Sequence, residues 1–147
     1  MSTIFLDNFL QVAMKITHAD RGLSVDGDMQ IISSVNVTQQ DLETDLFNEC
    51  AMKCLQESMD KGEAIITNNV IADISDAPVT NTNFSDLRIV VAIPVGDYGA
   101  IYFDKPIRVG VISKNAVEKL SRLVTHIHDN QLEEKSTDDI ISLYRQL

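Results

Sequence analysis

The sequence has few basic residues and no long hydrophobic run. Its 147 residues include 12 Lys and Arg against 22 Asp and Glu, which gives a net charge of −10. Because attraction to phosphate groups is mainly electrostatic, this balance opposes non-specific binding to nucleic acids and anionic lipids. No apolar stretch is long enough to span a bilayer, and the first residues lack the basic start of a signal peptide. We therefore expect a cytoplasmic protein that binds neither nucleic acid nor a membrane.

Cysteine is also scarce, with Cys50 and Cys54 the only two in the chain. They lie one turn apart on a predicted helix, and this spacing aims the side chains in parallel, which suits a disulfide poorly. No other Cys or His completes a zinc-binding set at the usual spacings, and His126 and His128 point to different sides of a helix. We expect no metal and interpret both cysteines as buried apolar residues.

Motifs of catalysis are missing as well. The sequence has no Gly-rich phosphate loop, no nucleophile elbow and no motif of paired catalytic carboxylates, so we expect a protein that is not an enzyme. A thiol-based reductase is the enzymatic alternative, and it would need an exposed thiolate of low pKa with a resolving partner. Alkylation of the native protein would test it, since buried thiols should resist.

The hydrophobic pattern predicts a single α+β domain. Its length allows it to bury a core without stabilisation by disulfides or a metal ion. Helical spacing covers Asp7 to Thr17, and a hairpin follows with strands Gly22–Asp26 and Met29–Val35 around an Asp-Gly turn. A long helix begins at Thr38 and ends at Gly62, and a short strand lies within Glu63–Thr67.

The second half of the chain centres on another predicted hairpin. Its strands, Leu87–Gly96 and Gly99–Asp104, are almost continuously apolar, which predicts that both faces of the sheet are covered. Residues 107–111 are predicted to add a short strand. Ser113 caps a closing helix and Ser136 caps a last one. The segment Ala72–Asp86 has no helical or strand period, and loops of this kind often form lids or binding sites.

Four segments resemble, in the right order, motifs of bacterial GAF signalling domains. They are the strand entry Ala19-Asp20-Arg21-Gly22, the strand at Gly62–Ile66 (without the family's Pro), the strand Leu87–Val95 (with Ile89 where Ser is common), and Gly99–Asp104 with Gly110–Ser113. The resemblance covers about Phe5 to His128. It implies a PAS-related central antiparallel sheet of five or six strands. The N- and C-terminal helices would cover one face, and the long middle helix and the loop would cover the other. We predict one domain over residues 1–135 and a tail or linker helix over 136–147.

The first and closing helices carry apolar stripes wider than one packing face requires, which favours a homodimer through them. The residues that we predict for this interface are Leu6, Phe9, Leu10, Ala13, Val117, Leu120, Val124 and Ile127.

Family relatives hold small molecules between the middle helix and the sheet. The residues that we predict to bind a ligand here are Asn69, Asp73, Asp76, Asn83, Phe84, Ile89 and Val91. Some relatives attach a linear tetrapyrrole through a loop cysteine. No Cys follows Ala72, so a covalent bilin is not expected, and no cofactor is indicated.

The leading hypothesis is a non-catalytic regulatory or sensory module that binds a small molecule, dimerises, or does both. It would transmit the signal by a population shift to an effector domain or a separate signalling partner. A ligand-free structural dimerisation module is the alternative. A cavity between the middle helix and the sheet would favour sensing, whereas a core closed by Phe84, Leu87 and the cysteines would favour the structural role.

Overall fold

The structure is a computed structural model that describes residues 2–43, 45–67 and 88–147. In these ranges the chain forms the elements α1 (Ser2–Thr17), β1 (Arg21–Asp26), β2 (Ile31–Val35), α2 (Gln39–Glu43), α3 (Asp45–Lys61), β3 (Ile65–Thr67), β4 (Arg88–Val95), β5 (Gly99–Pro106), α4 (Lys114–Asp129) and α5 (Thr137–Gln146). Among the helices of the described residues, none combines the length and the apolar character needed to cross a membrane.

The strands form one antiparallel sheet in the order β2-β1-β5-β4-β3. This arrangement confirms the predicted antiparallel sheet, with five strands in the described residues, and both predicted hairpins. The prediction of a strand over residues 107–111 is wrong, because Ile107–Val109 is a 3-10 helix. The chain leaves the sheet at Pro106, and the Gly110 N–H donates back to the Ile107 carbonyl at 3.0 Å while Gly110 takes a φ of 146°.

Alternate side chains of the central strands enter two separate cores. One side of the sheet, here called the α1 face, packs Ile89, Val91, Phe103 and their neighbours against α1, α4 and α5. The other side, the α3 face, packs Leu23, Val25, Val90, Ala92, Ala100 and Tyr102 against Ala51, Cys54 and Leu55 of α3. The first and closing helices therefore share one face and the middle helix covers the other, as predicted.

Polar side chains cap three helices where the sequence predicted helix starts. The Thr38 hydroxyl accepts from the Asp41 N–H at 3.0 Å, and the Asp41 carboxylate accepts from the Thr38 N–H at 3.0 Å. Ser113 and Ser136 accept from the N–H groups three residues later, at 3.1 and 3.2 Å. Each contact satisfies a backbone donor that has no partner inside its helix.

The segment predicted as a tail or linker helix is α5, and it packs against α1 and α4. Its Ile140 and Ile141 are buried in the core of the α1 face. The wide apolar stripe of α1 thus contacts the sheet on one side and α5 on the other.

The residues predicted for a dimer interface are buried within the single chain. All eight residues predicted for it are at most 8% exposed in the single chain, so they form the protomer's own core: Leu6, Phe9, Leu10, Ala13, Val117, Leu120, Val124 and Ile127.

Gly22 marks a close approach between β1 and α1. A Cβ at this position would lie 2.7 Å from the Met14 sulfur and 2.9 Å from the Tyr102 carbonyl oxygen. Both distances are below normal van der Waals contact, so the absence of a side chain lets the helix lie directly on the strand.

Candidate functional site

Three charged side chains are buried together on the α3 face. Asp104 lies near the end of β5 and is 0% exposed. The sheet register places Arg21 of β1 directly opposite it, and Arg88 of β4 lies two residues from its β4 partner, Val90. Because strand residues alternate between faces, all three side chains emerge on the same side of the sheet. We call Arg21, Asp104 and Arg88 the Arg–Asp–Arg cluster.

The Asp104 carboxylate accepts hydrogen bonds from three side chains. Arg21 Nε donates to both carboxylate oxygens at 3.1 Å, and its Nη2 donates to Oδ2 at 2.9 Å. Arg88 reaches Oδ1 through Nε at 3.0 Å and Nη2 at 2.9 Å. The Tyr102 hydroxyl donates to Oδ2 at 2.5 Å. This buried carboxylate is therefore well paired, which is the condition under which a buried charge is tolerated.

The pKa values in the cluster reflect burial and charge. Burial raises the pKa of Tyr102 far above its ordinary range, and the charge and hydrogen bond of Asp104 raise it further, so the phenol stays protonated. Burial alone would lower the pKa of Arg21, but the hydrogen bond and charge of Asp104 raise it.

Two further carboxylates connect the cluster to neighbouring elements. Arg88 Nη2 contacts the Asp20 carboxylate in the α1–β1 connection, and Arg21 Nη1 lies 3.7 Å from Asp41 of α2. The main chain adds a hydrogen bond from the Asp20 N–H to the Asp104 carbonyl at 3.2 Å. The next residue of β5, Lys105, donates from Nζ to the Thr17 carbonyl at the end of α1, at 2.8 Å. The cluster thus joins three strands, α2 and the α1–β1 connection, and the adjoining Lys105 contacts the end of α1.

The two cysteines lie beside a cavity between α3 and β3. Its volume is about 470 Å³, and its lining residues are Glu49, Cys50, Lys53, Cys54, Glu57, Ile65 and Thr67. Both thiols are free; Cys54 is buried and Cys50 is half-buried. Across the described residues, no three His, Cys, Asp or Glu side chains are grouped closely enough to hold a metal ion.

The two thiols differ in their pKa. The neighbouring Cys54 thiol lowers the pKa of Cys50 to about 7, against the opposing effect of burial, and the charges of Lys53 and Arg21 contribute to the lowering. The neighbouring Cys50 raises the pKa of Cys54, and burial raises it further. Both cysteines were predicted to be buried apolar residues; Cys54 is buried, whereas Cys50 is half-buried.

A second cleft, larger at about 770 Å³ and about as open to solvent as the first, lies on the α1 face between α4, the start of β3 and the β4–β5 turn. The Ser121 hydroxyl is buried there with no hydrogen-bond partner among the described residues. The charged residues of this groove, such as Lys114, Glu118 and Arg122, are exposed to solvent. We take the smaller cavity as the candidate site, because it adjoins buried charges and a thiol of shifted pKa.

The residues predicted to bind a ligand fall into two groups. Asn69, Asp73, Asp76, Asn83 and Phe84 lie outside the described residues. Ile89 and Val91 are described and are buried on the α1 face, across the sheet from α3. Alternation along β4 places their neighbours Arg88 and Val90, and not Ile89 and Val91, on the side that α3 covers.

The prediction missed the Arg–Asp–Arg cluster, although the sequence carried a signal for it. Arg88 and Asp104 are charged residues at the ends of the two strands that were predicted to be covered on both faces, and Arg21 directly precedes the predicted strand Gly22–Asp26. Charges in such strands need partners, and two cations with one anion can supply them.

Comparison with known proteins identifies the fold. No family model and no curated protein matches the sequence. Among solved structures, the chain is similar to the GAF domain/HD domain protein from Geobacter sulfurreducens, with a TM-score of 0.55 and 11% identity over 99% of this chain and 95% of that chain. It is also similar to Myxococcus xanthus MglB, with a TM-score of 0.42 and 14% identity over 96% of this chain and 90% of that chain. The first likeness shows a GAF-like fold, and the second adds nothing to that assignment.

Proposed function

We propose that the chain is a non-catalytic regulatory module that binds a small molecule on the α3 face. The observation that carries the proposal is the cavity of about 470 Å³ between α3 and β3. Small-molecule sites usually have volumes of about 300–1,000 Å³ and combine apolar walls with a few placed polar groups. Here Ile65 and the two cysteines supply the apolar surface, and Glu49, Lys53, Glu57 and Thr67 supply the polar groups.

The Arg–Asp–Arg cluster offers a route from this cavity to the opposite face. The charges of Asp104 and Arg21 both act on Cys50, which lines the cavity. The Asp104 carbonyl in turn accepts a hydrogen bond from the Asp20 N–H. The adjoining Lys105 donates one to the Thr17 carbonyl at the end of α1. A ligand that favours one position of α3 would favour one geometry of the cluster and so one packing of α1, α4 and α5. The output would pass from these helices to an effector domain or a separate signalling partner.

The ligand-free dimerisation module is supported less well. The eight side chains that suggested it are buried within one chain. A cavity between α3 and the sheet is also the feature that favours sensing over a filled structural core. Formation of a homodimer remains a proposal, and the subunit count in solution tests it directly.

Native mass spectrometry of protein purified from cells tests the function. We expect a non-covalent mass increment on the wild-type chain. Ile65→Trp should abolish it by filling the cavity, whereas Ile31→Trp should retain it, because Ile31 is 43% exposed on β2 at the opposite edge of the sheet. A wild-type chain without an increment, or an Ile65→Trp chain that keeps it, would contradict the proposal. The same spectra report the number of subunits.

A further inference from the structure

A groove on the α1 face runs along one side of α4, and we call it the α4 groove. It is the larger cleft, of about 770 Å³, between α4, the start of β3 and the β4–β5 turn. The α4 residues that line it recur every three or four positions from Lys114 to His128, which is the spacing of one helix face. A helix rises about 1.5 Å per residue, so this wall is about 21 Å long. The α4 groove is therefore elongated, and it is separate from the cavity between α3 and β3.

The floor of the α4 groove is apolar. Ala64 and Ile66 supply it from the β3 side, and Val124 supplies it from α4. Ile66 packs against the core of the α1 face but remains half-buried, so part of its side chain stays open to the groove. Strand alternation sends the neighbouring Ile65 to the other side of the sheet, where it lines the smaller cavity. A ligand in the α4 groove thus meets Ile66 and not Ile65.

Ser121 lies in the middle of the α4 wall. Its hydroxyl oxygen is buried, and it is the one buried side-chain polar atom of the described residues that lacks a hydrogen-bond partner. Buried polar groups are nearly always paired, so an unpaired one calls for an explanation. Ser121 itself lines the groove, and a change of side-chain rotamer brings its hydroxyl within reach of a ligand there. A hydroxyl both donates and accepts hydrogen bonds, and a peptide group matches both roles.

Exposed charges of opposite sign stand at different levels of the α4 groove. Arg122 lies in the middle of the α4 wall, whereas Lys114 and Glu118 pair with each other nearer the start of the helix, at 3.9 Å. At the other end of the groove, Glu63 precedes β3 and Asp97 lies in the β4–β5 turn. The groove therefore has a cationic level and an acidic end.

Contacts with the α4–α5 connection fix the level of the acidic end. The Tyr98 hydroxyl donates to Glu133 at 2.7 Å, and His128 Nδ1 lies 3.8 Å from the same carboxylate oxygen. The β4–β5 turn, which carries Asp97, therefore lies beside the last turn of α4. Because His128 is six positions after Arg122, the cationic level and the acidic end are about 9 Å apart along the helix axis.

We propose that the α4 groove binds a short, apolar, zwitterionic peptide of about three residues. An extended tripeptide spans about 10 Å, which matches the separation of the two charged levels. Its carboxylate pairs with Arg122, and its last peptide group exchanges hydrogen bonds with Ser121. Its side chains lie on the apolar floor, and its ammonium group lies near Glu63 and Asp97. The proposal does not require the ligand proposed for the cavity between α3 and β3.

Blocked forms of the peptide distinguish this binding from non-specific attraction. The chain carries a net charge of −10, so it attracts any cation weakly. Amidation of the carboxylate leaves the peptide with a positive charge, and acetylation of the amine leaves it with a negative one. Each change removes one charged contact of the α4 groove and should weaken binding by up to about fivefold. Non-specific attraction would instead strengthen the binding of the amide.

Titration of the isotope-labelled full chain with the tripeptide Ala-Val-Leu, followed by amide NMR shifts, tests the proposal. We expect saturable shifts that concentrate along α4 and β3. Ile66→Trp should abolish them by filling the groove. Ile65→Trp is the matched control, because it fills the cavity on the opposite face, and it should leave the affinity for the tripeptide unchanged. This pair also separates the two proposed sites, since Ile65→Trp is the change that should remove the ligand of the α3 face.

Two polar variants test the contacts in the middle of the groove. Ser121→Ala should weaken binding about two- to tenfold, which is the effect of one hydrogen bond. Arg122→Gln should bind the free tripeptide about as weakly as wild type binds its amide, and it should not discriminate between the two forms. Arg145→Gln replaces an exposed arginine of α5 outside the groove and should behave as wild type. Circular dichroism confirms that each variant is folded.

Three outcomes would overturn the proposal. The first is the absence of saturable shifts on the wild-type chain, and the second is binding that persists in folded Ile66→Trp. The third is an amide that binds as tightly as the free tripeptide, since that result would show that the peptide carboxylate makes no contact in the groove.

Discussion

Replacing Asp104 by Asn should cost about 3–5 kcal/mol in the free energy of unfolding. The side chain keeps its shape but loses its charge, so the two guanidinium groups lose the buried counterion that they share and keep the less buried carboxylates of Asp41 and Asp20. The two arginine side chains are only 10% and 8% exposed, so water screens them poorly. Removal of one partner from a buried ion pair typically has an effect of this size. For a chain of this length the loss corresponds to a fall in melting temperature of roughly 6–20 °C.

Urea denaturation followed by far-ultraviolet circular dichroism measures this effect, and Asp97→Asn is the matched control. Asp97 lies exposed in the β4–β5 turn, so its substitution should change stability by less than about 0.5 kcal/mol. Adding Arg88→Met to Asp104→Asn should recover part of the loss, because it removes one uncompensated charge. The reasoning is refuted if Asp104→Asn and Asp97→Asn unfold at the same urea concentration, or if the added Arg88→Met deepens the loss.

Three further predictions concern packing, capping and pH. Gly22→Ala should lower stability by about 1–3 kcal/mol because its Cβ would overlap α1, whereas Gly27→Ala, with open space around it, should be neutral in the same urea assay. Ser136→Ala should cost about 1 kcal/mol by removing the cap of α5, measured by thermal denaturation; an unchanged melting temperature would contradict this. Folding lowers the pKa of Cys50 to about 7 and raises that of Cys54. The free energy of unfolding should therefore rise from pH 7 to about 8.5, where the unfolded thiols titrate, and fall above it. A doubly Ser-substituted chain should lack this maximum in urea titrations across that range.

The features set by local chemistry were predictable from the sequence. Thr38, Ser113 and Ser136 each place a hydroxyl where a helix begins, and the structure confirms all three caps. The almost continuous apolar character of β4 and β5 correctly indicated a sheet covered on both faces. These features depend on residues that are close together in the sequence, so each can be predicted from one segment alone.

Features that depend on distant segments were not predictable in the same way. The apolar stripe of α1 shows how much surface must be covered, but it does not distinguish a second subunit from α5 of the same chain. In strands that are apolar on both faces, the sequence does not show which alternate residues face which helix, so it could not show that Ile89 and Val91 face α1. Only the charged positions Arg88 and Asp104 break that ambiguity, and their pairing requires knowledge of the sheet order.

The buried carboxylate of β5 has a consequence for folding fidelity. A slip of β5 by one position would exchange the side chains of its two faces, and most of the strand is apolar enough to tolerate either arrangement. Asp104 and Lys105 are the exceptions: the slipped strand would carry the negative charge of Asp104 into the aliphatic layer beneath α1, away from both guanidinium groups, and would remove Lys105 from the Thr17 carbonyl. Burial of the unpaired Asp104 carboxylate would therefore raise the free energy of a sheet with β5 shifted by one position by several kcal/mol.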